Sequence, residues 1–408
     1  MNILYINHYA GSIYHGMEFR PYYLAREWVK CGHKVTIVAG DYSHLRSSNP
    51  TFDGEVLKET IDDIDYVWIK TGAYEGNGIR RAMSMFRFVS QLWHHAKSFA
   101  ESLNPDVVIS SSTYPLDAYP ARRIAKIAGA KHIHEIHDMW PSTLIEVGGM
   151  SKHHPFVLLM GMAENYFCKK ANAIVSVLPN TKEYLIQKGA RPENIHIIPN
   201  GIVQTDWNSP EEIPEQYALA FNQMHEEGKC IVGYFGGHAL SNALDVLVDA
   251  ASHCKIPEIQ FVLVGDGVEK HRLIRRTEDE GIRNITFFEP VKKRAIPSLL
   301  NHFDIVIITG LETKLYRFGG SLNKLFDAMM AAKPILMIMD ITSNPVEITG
   351  CGVIVKNSKC KDEIQDSLQL LYEMSPEERI NMGQKGKDFV ESEHDYCVLA
   401  KKFEILFV

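Results

Sequence analysis

A chain of 408 residues, 45% hydrophobic and 23% charged, is too long for one ordinary core and has the balance of a folded globular protein, which excludes disorder and coiled coil. Its formal net charge of -7 excludes a general nucleic-acid binder, because phosphate affinity needs a basic surface, so any anionic ligand has to be met locally. The 7 cysteines, at 31, 168, 230, 254, 351, 360 and 397, follow no CxxC or other metal spacing and point to a reducing, cytoplasmic compartment rather than a disulfide framework.

The opening MNILYINHYAG lacks the basic and apolar regions of a signal peptide and reads as a first strand. Further β-branched runs follow at 34–40, 66–70, 106–111, 132–136, 173–177 and 195–199, with helical patterns such as 21–32 and 117–129 between them. IDDID at 61–65 precedes a strand and reads as a solvated turn rather than a metal site. A helix is expected over 80–103, with Ala82, Met85, Phe86, Val89, Leu92, Trp93, Ala96 and Phe99 at three- and four-residue intervals and Arg80, Arg81 and Arg87 near its start. Such a stripe suits either core packing or an anionic membrane interface. The longest apolar run, 156–163, is far below the roughly 18 residues of a spanning helix.

After the polar, proline-bearing segment 207–216 (WNSPEEIPEQ) the rhythm restarts, with strand-like runs at 230–236, 260–266, 284–288, 304–310, 333–339 and 352–355. Near-continuous apolar strands alternating with helices predict parallel sheets covered on both faces, hence two doubly wound Rossmann-like α/β domains, 1–206 and 207–390. Ligands of such sheets sit beyond the carboxyl ends of the strands, and two domains facing each other make a cleft.

Post-strand loops carry the unusual residues. In GGSLNKLFDAM, Gly319 and Gly320 lead into Ser321, a good N-cap, and a helix bearing Asn323, Lys324 and Asp327. Free N–H groups at that helix start suit a diphosphate, with Lys324 near it and Asp327 accepting from ribose hydroxyls; the alternative is an internal i, i+3 ion pair between the two. Gly236, Gly237 and His238, with Ser241 and Asn242 close by, follow one strand, and Gly265 and Gly267 follow the next. Three glycine turns after strands of one sheet point to a nucleotide-type pocket. In the first half, HYAGSIYHGMEFRP supplies Gly11, Gly16, Glu18 and Arg20 after the first strand, and HIHEIHDMWP places His137 and Asp138 after a later one. An imidazole beside a carboxylate can orient a hydroxyl or move a proton; both residues can equally cap the next helix.

Taken together, MNILYINHYAG…GMEFRPYYLAREW, EIHDMWP, IHIIPNGI, GYFGG…ALDVLVDA, LVGDG and GGSLNKLFDAMMAAKP resemble the retaining GT-B glycosyltransferases of family 4, in the branch that builds bacterial surface polysaccharides. The resemblance implies a C-terminal domain that binds a nucleotide-sugar, usually UDP-linked, an N-terminal domain that binds a lipid-linked or saccharide acceptor, and a segment 391–408 that crosses back to the N-terminal domain. It implies acceptor contacts from Gly16, Glu18 and Arg20, and it matches Gly11 to a loop approached by the diphosphate and His137 to a histidine near the transferred sugar. Of the family's two acids, Asp327 takes the second place and Gly319 the first. The family's basic pair after the first strand of the second domain is replaced by His238, which leaves Lys324, with Arg317 or Lys292, to neutralise the diphosphate. Transfer would proceed by front-face substitution with no metal or other cofactor. The rival readings are a UDP-sugar epimerase of the same shape and a non-catalytic donor-binding partner.

Overall fold

The computed structural model describes residues 1–76 and 78–408, and the chain divides into two compact units: Met1–Pro199 with Tyr396–Val408, and Asn200–Asp395. The first unit holds β1 Asn2–Ile6, β2 Lys34–Gly40, β3 Val56–Ile61, β4 Ile64–Ile69, β5 Val107–Ser110, β6 Lys131–Ile136, β7 Ala173–Ser176 and β8 Ile195–Ile197, in the sheet order β3-β4-β2-β1-β5-β6-β7-β8. All neighbours run parallel except β3 and β4. The sequence gives no hint of β3 because it is an edge strand: Lys58 and Glu59 interrupt its apolar pattern, and only Ile61 is buried. Charge on an edge protects it from pairing with another chain.

Helix Arg20–Lys30 carries the C-terminal segment. Its Trp28 is fully buried, donates its indole N–H to Ala400 O at 3.1 Å, and meets the rings of Phe403 and Phe407 edge-on at 5.3 and 5.2 Å. Such aromatic packing adds to area burial and fixes geometry. The helix expected over 80–103 is two, Ile79–His94 and Ala96–Leu103, which meet at His95. Met85, Phe88, Leu92 and Ala96 face the core. A second stripe, Ile79, Met83, Phe86 and Trp93, faces outward and is exposed.

The second unit is an all-parallel six-stranded sheet, β11-β10-β9-β12-β13-β14, built from β9 Cys230–Phe235, β10 Ile259–Val264, β11 Ile285–Phe288, β12 Ile305–Thr309, β13 Ile335–Ile338 and β14 Gly352–Val355. Every residue of β9, β10, β12 and β13 is buried, as helices covering both faces demand. The division falls at 199/200 rather than the expected 206/207, because Ile202 and Ile213 are buried in the second unit's core and Trp207 packs against it. Likewise helix Pro376–Glu393 stays in the second unit, and the returning segment starts at Tyr396, not 391.

Candidate functional site

Helix Asn323–Met330 follows β12 in the second unit and starts without a side-chain cap, its cap residue being Leu322. Ser321, the expected N-cap, stands earlier: its Oγ accepts from Asn200 N at 2.8 Å and its carbonyl from Asn200 Nδ2 at 2.8 Å. Among the described residues, the backbone N–H groups of Gly320, Ser321, Leu322, Asn323 and Lys324 donate to no protein acceptor. Gly319 has φ 83 and ψ -172, a backbone region open essentially to glycine alone. Glycine in the place of the family's first acid is therefore required by the path of this loop.

Lys324 Nζ donates to Asn242 Oδ1 at 2.5 Å and to Tyr234 OH at 3.2 Å, and lies 4.9 Å from the centroid of the Tyr234 ring. No carboxylate among the described residues pairs with it, and burial pulls its ammonium down to about 8. The alternative i, i+3 pair is not formed: Asp327, buried one turn on, accepts from Lys293 Nζ at 2.5 Å. Lys293 opens the short turn Lys293–Ala295 after β11. Lys292, the cation expected here, is exposed and pairs with Glu211 at 3.3 Å, because its extended backbone sends consecutive side chains to opposite sides.

The glycine loops after β9 and β10 fasten each other. Gly236 N donates to Val264 O at 3.0 Å and His238 N to Asp266 O at 2.7 Å, and a Cβ on Gly265 would fall 1.9 Å from Gly236 O. Gly265 thus serves the approach of one loop to the other, as does Gly267 against His238, rather than the approach of a ligand alone. Asn242 Nδ2 and Tyr234 OH both donate to Gly237 O, at 2.7 and 2.8 Å, which ties that loop to the two groups that hold Lys324. The His238 ring is fully buried with neither nitrogen hydrogen-bonded; burial, then the Lys270 charge, lowers it to about 4, so it is neutral.

In the first unit the loop after β1 folds on itself, with Gly11 N donating to Glu18 O at 2.9 Å and Gly16 N to Ser12 O at 2.8 Å. The half-buried Glu18 carboxylate takes no hydrogen bond or ion pair from a described residue. Arg20 is not available to an acceptor: it is 1% exposed, and its guanidinium donates to Glu135 Oε1, Ile198 O and Pro199 O at 3.0, 2.8 and 2.6 Å. Glu135 is fully buried on β6. Burial alone would raise its carboxyl, but Arg20 and then His137 outweigh it and hold it well below the usual carboxylate range. His137 Nε2 lies 3.0 Å from Glu135 Oε2 and 2.8 Å from Ser111 Oγ. Asp138 braces its own loop and does not cap the next helix, Ser142–Glu146, whose cap residue is Pro141: its carboxylate accepts from Met139 N, Trp140 Nε1 and Thr143 Oγ1 at 2.8, 3.0 and 2.5 Å.

Glu135, Ser111, Tyr234 and Lys293 were not singled out from sequence. One signal was available: Glu135 is a lone acid inside an otherwise buried strand, and a buried acid needs partners.

Two doubly wound units in succession, the first on a sheet parallel but for its β3 edge and the second all parallel, are the architecture of the GT-B class of glycosyltransferase. Residues 14–205 match the model of Glycosyltransferase Family 4, and residues 229–373 that of Glycosyl transferases group 1. The chain belongs to glycosyltransferase family 4. It is 24% identical over 288 residues, 67% of each chain, to a Pseudomonas aeruginosa protein named as the glycosyltransferase WbjE. It is also 24% identical over 211 residues to WcaI of Escherichia coli (strain K12), named as a colanic acid biosynthesis glycosyl transferase; that match spans 50% of each chain. Among solved structures, Anabaena HepE in complex with UDP and glucose superposes with a TM-score of 0.68 at 15% identity, covering 99% of this chain and 98% of HepE, a likeness of fold.

Proposed function

We propose that this chain transfers a sugar, with retention of configuration, from a UDP-linked donor to a lipid-linked or saccharide acceptor in surface polysaccharide assembly, the second unit taking the donor and the first the acceptor. The observation that carries this reading is Lys324, a desolvated cation paired with no carboxylate among the described residues, at a helix start whose N–H groups none of those residues accepts from. A diphosphate supplies the missing anion to both. Asp327, steadied by Lys293, has a remaining oxygen for ribose hydroxyls. The reading needs no metal, because Lys324 and the N–H groups already stabilise the departing diphosphate. UDP and glucose in HepE and the polysaccharide named for WcaI agree with it.

A lipid-linked acceptor would bring the protein to the inner face of the plasma membrane as a peripheral protein. Among the described residues no helix is long and apolar enough to cross a membrane. Helix Ile79–His94 has no acidic residue; beside its outer stripe stand Arg80 and Arg87, and Leu158 and Met162 are exposed on helix Pro155–Lys170, whose Phe156 ring lies 6.3 Å from that of Phe86. Apolar residues edged by arginines suit an anionic interface.

The experiment is a thermal-shift screen with UDP-, GDP- and dTDP-sugars, followed by UDP release with and without a saccharide or polyprenyl-diphosphate-sugar acceptor. Stabilisation by a UDP-sugar and UDP release that depends on acceptor support the proposal. Conversion of the UDP-sugar without acceptor would make the chain an epimerase, and binding without turnover a donor-binding partner.

A further inference from the structure

We infer that Glu135, seconded by Ser111, is a positioning residue that fixes His137 as its Nε2–H tautomer and presents Nδ1 to a substrate hydroxyl. The inference rests on the reading of His137 as the group that meets the transferred sugar or the acceptor.

The proton positions follow from counting donors. Glu135 is a carboxylate and can only accept. Its Oε1 takes Arg20; its Oε2 faces three groups, Tyr5 OH at 2.6 Å, Ser111 Oγ at 2.7 Å and His137 Nε2 at 3.0 Å. The single hydroxyl hydrogen of Ser111 is spent on Glu135. At the 2.8 Å contact between Ser111 Oγ and His137 Nε2, the serine therefore accepts, and the hydrogen belongs to the imidazole. A bare Nε2 would instead turn its lone pair on a carboxylate oxygen with no proton between them, which a buried site makes costly. In the neutral ring the lone pair is thus on Nδ1, and no described residue hydrogen-bonds to it.

What Nδ1 can do is accept a hydrogen bond from a sugar or acceptor hydroxyl, through the 9% of the side chain's surface that stays exposed. The adjacent Asp138 is not the acceptor, since three groups of its own loop already fill its carboxylate. Arg20 acts at one further remove. By holding Oε1 it keeps Oε2 turned toward Ser111 and His137. An orienting carboxylate behind a histidine fixes both tautomer and ring rotation, and removing such a partner typically lowers activity about 10- to 100-fold.

The test uses full-length protein with histidine labelled by 15N in the ring, the His137 signals being identified by their loss in His137→Asn. At alkaline pH the wild type should show the Nε2–H pattern. Glu135→Gln should show a mixture of tautomers and slow release of UDP from UDP-glucose by about 10- to 100-fold, with the Kd for UDP within about twofold of wild type. Because Glu135→Gln leaves Arg20 with an altered partner, Ser111→Ala is the second variant; it leaves the Arg20 contact untouched and should also slow turnover while sparing UDP binding. An Nδ1–H pattern in the wild type overturns the inference, as do unchanged tautomer and turnover in both variants. Failure of the wild type to bind UDP would sink the nucleotide-sugar reading alone, since the ring pattern reports the positioning independently of any nucleotide.

Discussion

Lys293 Nζ lies 2.5 Å from Asp327 Oδ2, so the acid to which the proposal gives the ribose is itself steadied by a cation from the loop after β11. Asp327→Asn should weaken UDP binding by about 10- to 100-fold, the range for a hydrogen bond to a charged group. Lys293→Ala should weaken it too, and the double variant should lose less than the sum because the two residues act as a pair. Lys292→Ala, which alters only the exposed pair with Glu211, should bind UDP as the wild type does. Isothermal calorimetry on the four variants reads all of these.

Lys324 gives the site a pH signature. Its folded value of about 8 lies below the ordinary 10.5, so between those values the unfolded chain holds a proton that the folded chain releases. Stability of the ligand-free protein from this group therefore rises with pH across that window. UDP binding has the opposite slope. It favours the charged ammonium and should weaken as pH rises through about 8, by at most about tenfold per unit for one proton. Lys324→Met should flatten the binding profile in calorimetry between pH 7 and 10.

Gly319 separates this chain from the two-acid pattern of its family. Restoring the acid by Gly319→Glu should not improve donor binding, because a side chain at φ 83, ψ -172 costs about 1–3 kcal/mol of backbone strain. The expected results are a lower unfolding midpoint in urea and a raised Kd for UDP-glucose. A tighter Kd at unchanged stability would show that the loop tolerates the acid.

The Arg20–Glu135 pair is buried on both sides, at 1% and 0% side-chain exposure. Arg20→Met leaves an uncompensated buried carboxylate and should destabilise the first unit by about 3–5 kcal/mol in chemical unfolding. A change below about 1 kcal/mol would mean that Glu135 takes up a proton or water at little cost.

On the membrane side, the outer stripe of helix Ile79–His94 gives a direct comparison. Met83→Ser with Phe86→Ser should abolish sedimentation with phosphatidylglycerol vesicles while leaving the UDP-induced thermal shift intact, since both residues are exposed and outside the donor loops. Met85→Ser, on the core face, should unfold the first unit instead.

The strand and helix rhythm was legible because parallel strands buried on both faces leave long apolar runs, as in CIVGYF and IQFVLV. It failed at β3, whose edge position calls for charge. The apolar stripe over 80–103 was left open between core and interface, and the structure divides it: Met85, Leu92 and Ala96 are core residues, whereas Phe86 and Trp93 face outward with Ile79 and Met83. In the segment after β12, Lys324 and Asp327 drew notice from their place after a glycine turn. Their partners did not, because Asn242 and Lys293 come from other loops and Tyr234 from β9, and they meet only through the sheet order. Arg20 was misread for a related reason: a cation in a post-strand loop suggests a ligand, and only the fold reveals Glu135 across from it.

The central claim is tested most directly by a crystal structure of the protein soaked with UDP. The account predicts diphosphate oxygens within hydrogen-bond distance of Lys324 Nζ and of the N–H groups from Gly320 to Lys324, with the ribose at Asp327. A diphosphate bound elsewhere, with Lys324 still joined only to Asn242 and Tyr234, would contradict it.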